Sequence, residues 1–141
     1  MDIRQITPRY FVSPQISAED IPAVVAAGIS TVICNRPDAE IPPSHHALAL
    51  KATAEAAGLS FVVNPLTHDT MTPYRLALQR DTLEQSDGKV LAYCASGTRS
   101  TVAWCLGHAN SIPVDDILGA AQSGGYALDA LRPTLEQIAA S

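Results

Sequence analysis

The stretch Lys89-Val-Leu-Ala-Tyr-Cys94-Ala-Ser-Gly-Thr-Arg99-Ser100 constrains this chain more than any other. Residues 90–93 are an uncharged apolar run of strand length. They pass directly into Cys94, a loop of small residues and Arg99, and an apolar helical pattern begins near Ser100. Strand, small-residue loop and helix in immediate succession are what an anion cradle needs. Gly97 and its neighbours Ala95, Ser96 and Thr98 let successive backbone N–H groups turn inward. The helix N-terminus adds its partial positive charge. Arg99 supplies a planar, bidentate donor that stays protonated at any working pH. A cysteine opening such a ring faces an electropositive pocket, which favours the thiolate, the nucleophilic form. Cys94 is therefore the expected covalent nucleophile and Arg99 its partner, with Ala95, Ser96, Gly97, Thr98 and Ser100 forming the anion-binding loop.

At 141 residues the chain has room for one domain with a real core, spanning 1–141. Hydrophobic residues make up 47% and charged residues 16%, a composition that folds rather than stays disordered. The net charge of -5 argues against a general binder of nucleic acid or of anionic membranes. No run approaches the ~18 apolar residues of a membrane span, and the first residues lack the apolar core of a signal peptide. Three cysteines without C-x-x-C spacing suit a reducing compartment rather than a disulfide framework, so a cytoplasmic setting is expected. The four histidines show no i, i+4 pair, and neither a metal site nor another cofactor is expected.

Read in order, residues 3–6 and 10–13 form two short strands joined by Thr7-Pro8-Arg9. Ser17 to Asp20 matches a capping box and predicts a helix to about Ala27, stopped by Gly28. Residues 29–34 form a β-branched core strand, and 59–64 another, with an alanine-rich helix over 45–57 between them. Thr72-Pro73 opens a helix to about Gln85. Beyond the cradle, helices are predicted over 100–109, 113–123 and 128–139, the last interrupted at Pro133. This alternation predicts an α/β fold with a parallel sheet covered on both faces. In such sheets working groups gather beyond the strands' carboxyl ends, here Cys34-Asn35-Arg36, residues 64–69 and residues 94–99. Cys34 ends a strand as Cys94 does, which leaves two roles open, a resolving thiol near the nucleophile or a small core filler, the second being favoured. Arg36 either lines the pocket or pairs with Asp38 or Glu40. Tyr126 and the Gly124-Gly125 break are candidates for a pocket edge.

Four segments together resemble the beta-lactamase hydrolase-like phosphatase-like domains, relatives of the dual-specificity phosphatases. They are residues 6–15 (Ile-Thr-Pro-Arg-Tyr-Phe-Val-Ser-Pro-Gln), Gly28 to Glu40 with its Asn35-Arg-Pro-Asp-x-Glu40 tail, Phe61-Val-Val-Asn-Pro65, and Cys94-Ala-Ser-Gly-Thr-Arg-Ser100. The resemblance implies a phosphatase-like fold, a short and mostly parallel sheet flanked by helices. It also places Asp69 where a general acid would sit, with His68 as fallback donor, and makes Gln15 a candidate substrate contact. One departure stands out. Cysteine phosphatases place five residues between nucleophile and arginine and a His before the Cys. Here four residues separate Cys94 from Arg99, and Tyr93 precedes the Cys.

Four is the spacing of rhodanese-type sulfurtransferases, whose Cys-x-x-Gly-x-Arg-Ser loop is similar to Cys94 through Ser100. A shorter loop makes a narrower ring of donors, suited to one sulfur atom. The leading expectation is therefore a cysteine-dependent sulfurtransferase that carries sulfane sulfur as a Cys94 persulfide between small-molecule donors and acceptors. The alternative is a phosphatase acting on a phosphorylated substrate through a phosphocysteine, with Asp69 as acid. A third expectation, from a different class, is a non-catalytic anion-binding module. Relatives fused to a persulfide dioxygenase imply such an enzyme as a partner in the sulfur-transfer case.

Overall fold

The computed structural model describes residues 1–141. Four strands run parallel in the order β2 (Tyr10–Ser13), β5 (Lys89–Tyr93), β3 (Ile29–Cys34), β4 (Ser60–Val63). The two-residue β1 (Arg4–Gln5) pairs antiparallel with β2 at the edge. Helices α1 (Ile21–Ala26) and α2 (Ala47–Ala56) cover one face. Helices α3 (Pro73–Gln85), α4 (Thr98–His108), α5 (Val114–Ser123) and α6 (Arg132–Ala139) cover the other.

Side-chain alternation along β5 divides the core between these layers. Val90 and Ala92 join Trp104, Ile117 and Leu135 on the α3–α6 side. Leu91 and Tyr93 join Ile21, Val24, Leu50 and Cys34 on the α1–α2 side. β5 is buried on both faces, which is why residues 90–93 read as a continuous apolar run rather than an alternating one.

The elements follow the sequence pattern, and the departures lie at helix starts. The capping box is present, with the Ser17 N–H donating to Asp20 Oδ2 at 2.9 Å. The residues after it, Ala18–Asp20, form a 3-10 turn before α1 begins at Ile21. Pro22 has no N–H to donate to the Ala18 carbonyl, so that carbonyl takes the Ile21 N–H instead. At the other end of the chain, Pro133 opens α6 rather than interrupting it. The Asp129 carbonyl takes the Arg132 N–H, and residues Asp129–Leu131 wind as a 3-10 turn. α2 starts at Ala47, two residues later than expected, because the Asp38 carboxylate caps the Ala47 N–H at 2.8 Å from outside the helix. α4 starts at Thr98, earlier than expected, with Gly97 as N-cap at φ 92°.

The parallel order brings the carboxyl ends of β5, β3 and β4 side by side. The Asn35 N–H donates to the Tyr93 carbonyl at 2.8 Å, the Asn64 N–H to the Cys34 carbonyl at 2.9 Å, and the Leu66 N–H to the Asn35 carbonyl at 2.9 Å. The three loops expected to face one another therefore do so. No helix is long and apolar enough to cross a membrane.

Candidate active site

Cys94 lies at the carboxyl end of the central strand, its side chain fully buried. Its Sγ accepts the Gly97 N–H at 3.1 Å. The N–H groups of Ala95, Ser96, Arg99 and Ser100 have no acceptor within the chain, while Thr98 N–H reaches Ser96 Oγ at 3.4 Å. These unused donors sit at the head of α4, where the helix's partial charge is positive. Ala95 and Ser96 are exposed, so the sheltered thiol lies directly under a solvent-facing loop, and no cavity of the molecule is lined by Cys94.

Arg99 knits the three loops together. Its Nη1 and Nη2 donate to the two carboxylate oxygens of Glu40 at 2.9 and 2.8 Å, and Nη1 also reaches the Leu66 carbonyl at 2.8 Å. Glu40 raises the guanidinium's already high pKa further, with a smaller contribution from Cys94. In return, Arg99 and then Arg36 hold the Glu40 carboxyl below the usual carboxylate range. A carboxyl depressed in this way contributes stability above its unfolded pKa and loses it as pH falls through its folded one. Below the ordinary carboxylate range, wild-type activity and stability should therefore fall as Arg99 is released. Glu40→Gln should show weaker activity at neutral pH and a flatter acid limb, read by activity and melting temperature across pH.

The other candidates divide. Arg36 pairs with Glu40 rather than Asp38, its Nε at 3.0 Å from Oε1, and lines a cavity of about 270 Å³ with Asp38, Val63 and Pro65. Ser96 and Thr98 hydroxyls bond each other at 3.0 Å beside the loop's mouth. Ser100 departs from expectation. Its side chain is fully buried, and the hydroxyl donates away from the loop to Asn35 Oδ1 at 2.8 Å, so its proton is not offered to an anion over Cys94. Cys34 is placed as core filler. It pairs in register with Tyr93, packs on the α1–α2 side, and its thiol donates to the Arg36 carbonyl at 3.4 Å, with burial pushing its pKa up. Cys34 Sγ bonds the Arg36 carbonyl and Cys94 Sγ the Gly97 N–H, and no bond joins the two thiols. Gln15 Nε2 bonds the neighbouring Ile16 carbonyl at 2.8 Å, and its buried Oε1 has no partner. His68 and Asp69 are exposed on a turn closed by Thr67 and Thr70, three residues at most beyond Leu66. Neither side chain bonds to Cys94 or Arg99. No three His, Cys, Asp or Glu side chains gather where a metal ion could be held.

Tyr126 braces the loop from outside. Its hydroxyl donates to the Ser96 carbonyl at 2.9 Å, and a Cβ on Gly97 would collide with that hydroxyl. Gly97 also sits at a left-handed φ that costs other residues about 1–2 kcal/mol. Gly97→Ala should lose at least about 2 kcal/mol in denaturant unfolding, strain and overlap combined, together with most activity. A variant as stable as wild type would show that the loop tolerates the methyl group.

Glu40, the Leu66 carbonyl and the Asn35, Gln79 and Tyr10 side chains beneath the loop escape a residue-by-residue reading. Glu40 and Asn35 end and open the Asn35-Arg-Pro-Asp-x-Glu40 segment and Tyr10 lies in the 6–15 segment, while Gln79 carried no signal.

Comparison with known proteins places this geometry. The sequence profile of the beta-lactamase hydrolase-like protein, phosphatase-like domain, matches residues 2–111. A beta-lactamase hydrolase-like protein of Agrobacterium fabrum is 29% identical over 139 residues, 97% of this chain and 32% of the relative. The chain thus spans about a third of the length of that curated relative. The crystal structure of a proposed phosphatase from Neisseria meningitidis is 32% identical with a TM-score of 0.85, covering 98% of this chain and 99% of that one. TpbA of Pseudomonas aeruginosa, a cysteine-to-serine form in complex with phosphotyrosine, gives a TM-score of 0.62 at 14% identity over 99% of this chain and 91% of that one, a likeness of fold alone. These likenesses back the phosphatase alternative better than sulfur transfer. Matched by that profile over most of its length, the chain belongs to the phosphatase-like domain family of beta-lactamase hydrolase-like proteins.

Proposed function

We propose that this domain is a cysteine-dependent hydrolase of the phosphatase class. The observation that carries the reading is the Arg99 clamp. A guanidinium fixed by both oxygens of Glu40 and by the Leu66 carbonyl stands at the head of α4, beside Cys94 and four unused N–H donors. Such donors stabilise charge that develops on phosphoryl oxygens, and they need no reorganisation to do so. In the first step the Cys94 thiolate attacks phosphorus, an S–P bond forms, and the P–O bond to the leaving group breaks. The leaving oxygen takes a proton from Asp69, on the loop that Leu66 ties to Arg99. Water then attacks the phosphocysteine, giving its proton to Asp69 and releasing phosphate and the thiolate.

Loop length favours a second reading. Four residues between Cys94 and Arg99 make a small ring, already closed enough that Gly97 N–H touches Sγ. In sulfur transfer the thiolate attacks the outer sulfur of thiosulfate, releases sulfite and becomes Cys94–S–S⁻, which an acceptor thiolate then discharges. This route needs no general acid, in keeping with an Asp69 side chain that makes no bond to Cys94. Under this reading a persulfide dioxygenase is the partner to seek, by co-purification.

A paired assay separates the two readings. One arm follows hydrolysis of an aryl phosphate, the other sulfur transfer from thiosulfate to a thiol, with intact mass recorded after each donor. Phosphate release that falls about 10²-fold or more in Asp69→Asn, with a trapped phosphoryl adduct, supports the phosphatase. Turnover confined to the sulfur arm, with a one-sulfur adduct and no dependence on Asp69, overturns it in favour of the second reading. Turnover in neither arm leaves an anion-binding module.

A further inference from the structure

Beneath the loop lies a connected set of buried polar side chains drawn from five elements or their ends. Asn35 follows β3, Asn64 follows β4, Tyr10 opens β2, Gln79 lies in the middle of α3, and Ser100 is in the first turn of α4; each is buried to within 2% of full. Gln79 and Asn35 face each other as a reciprocal amide pair. Gln79 Nε2 donates to Asn35 Oδ1, and Asn35 Nδ2 donates to Gln79 Oε1, both at 2.9 Å. The second N–H of Gln79 goes to the Tyr10 hydroxyl at 3.0 Å, which in turn donates to the Ser100 carbonyl at 2.7 Å. The second lone pair of Gln79 Oε1 takes Asn64 Nδ2 at 2.9 Å, and Asn35 donates onward to the Asn64 carbonyl at 2.9 Å. Asn35 Oδ1 also takes the Ser100 hydroxyl at 2.8 Å.

Every hydrogen-bonding site of the Gln79 amide is thereby used. Two chains of bonds end on Ser100, and the Asn64 branch returns to α3 at the Arg75 carbonyl at 3.0 Å. We propose that Gln79 is a positioning residue: from α3 it fixes Ser100, through Tyr10 and through Asn35, and so sets the orientation of the Cys94–Arg99 turn. This inference rests on Cys94 and Arg99 being the reacting pair. A buried amide with four committed hydrogen bonds is worth its burial only when all are in place, so the network holds one arrangement and penalises the rest. The backbone that carries Arg99 adjoins Ser100, so turning it would strain the Ser100 bonds to Tyr10 and Asn35. Burial holds Tyr10 protonated far above the ordinary range, with Cys94 and Cys105 the titratable groups facing its hydroxyl, so the hydroxyl keeps donating to the Ser100 carbonyl.

The test compares wild type, Gln79→Leu, Gln79→Glu and Tyr10→Phe, the last a mild cut that keeps the fold should Gln79→Leu not. Iodoacetamide alkylation of Cys94, Cys34 and Cys105 is followed separately by peptide mass, alongside kcat and KM in the paired assay. The proposal expects Cys94 alkylation to rise about tenfold or more in Gln79→Leu and Tyr10→Phe, with Cys34 and Cys105 as protected as in wild type. It expects kcat to fall by about 10-fold to 10²-fold. Gln79→Glu should work best in acid, where its neutral carboxyl still has a proton to donate. It should lose activity and loop protection as that carboxyl ionises against Asn35 Oδ1, a limb that wild type lacks. Equal acceleration of all three cysteines, or a Gln79→Glu pH profile parallel to wild type, overturns the proposal. Should wild type turn over neither substrate, the functional reading fails, and the alkylation pattern still decides the role of Gln79.

Discussion

Cys94→Ser is expected to reduce turnover by about 10⁴-fold or more in whichever assay wild type shows activity, and to abolish the covalent adduct. Serine fits the same buried position, and its Oγ can still accept the Gly97 N–H that Cys94 Sγ now takes at 3.1 Å. Folding should therefore be nearly unchanged, and the loss falls on chemistry alone. A hydroxyl is a poor nucleophile without a base, and no histidine or carboxylate bonds to this position. Melting temperature within a few degrees of wild type, together with lost turnover and lost adduct, is the combined outcome. Residual activity within tenfold of wild type would remove Cys94 from the mechanism.

Arg99→Lys carries the second largest expected effect, a fall of about 10²- to 10³-fold in kcat/KM with charge conserved. The reason is geometric. Arg99 meets both Glu40 oxygens and the Leu66 carbonyl at once, and Nε together with the remaining N–H bonds is left for substrate. A lysine ammonium is a point donor on a flexible stem. It can satisfy Glu40 or an anion over Cys94, but it cannot brace three loops while doing so. Steady-state kinetics in both arms give the answer, and a kcat/KM within threefold of wild type would show that charge alone suffices.

The strands and the strand–loop–helix run of the cradle were legible because each rests on local pattern. Residues 29–34 and 90–93 are apolar without interruption, and buried parallel strands read that way. Cys94 and Arg99 stood out because strand, loop and helix are contiguous in sequence. What was not legible is what depends on distance. Glu40 lies 59 residues from the arginine it holds, and Gln79 looks like any polar residue of a helix until the fold brings Asn35, 44 positions away, against it. The Ser100 hydroxyl was assigned to the anion because it adjoins Arg99. Helix geometry instead turns it inward, where a buried acceptor from another strand end competes better than an empty loop. Pro133 was read as a helix break, and Pro22 was given no part in opening its helix. The structure shows that both act the same way, by denying one N–H to the carbonyl four residues back.

The amide pair under the loop also sets where protons can travel. Carboxamides neither gain nor lose protons in water's working range, and every N–H of Asn35 and Gln79 is already assigned. Reversing Gln79 would set donor against donor at Asn64 Nδ2, and reversing Asn35 would set acceptor against acceptor at the Asn64 carbonyl. Tyr10, the one ionisable member, keeps its proton. The core side of Cys94 is therefore an insulator rather than a relay. Any proton that reaches a leaving group must arrive from the solvent face, across the exposed Ala95-Ser96 edge or from the His68-Asp69 turn.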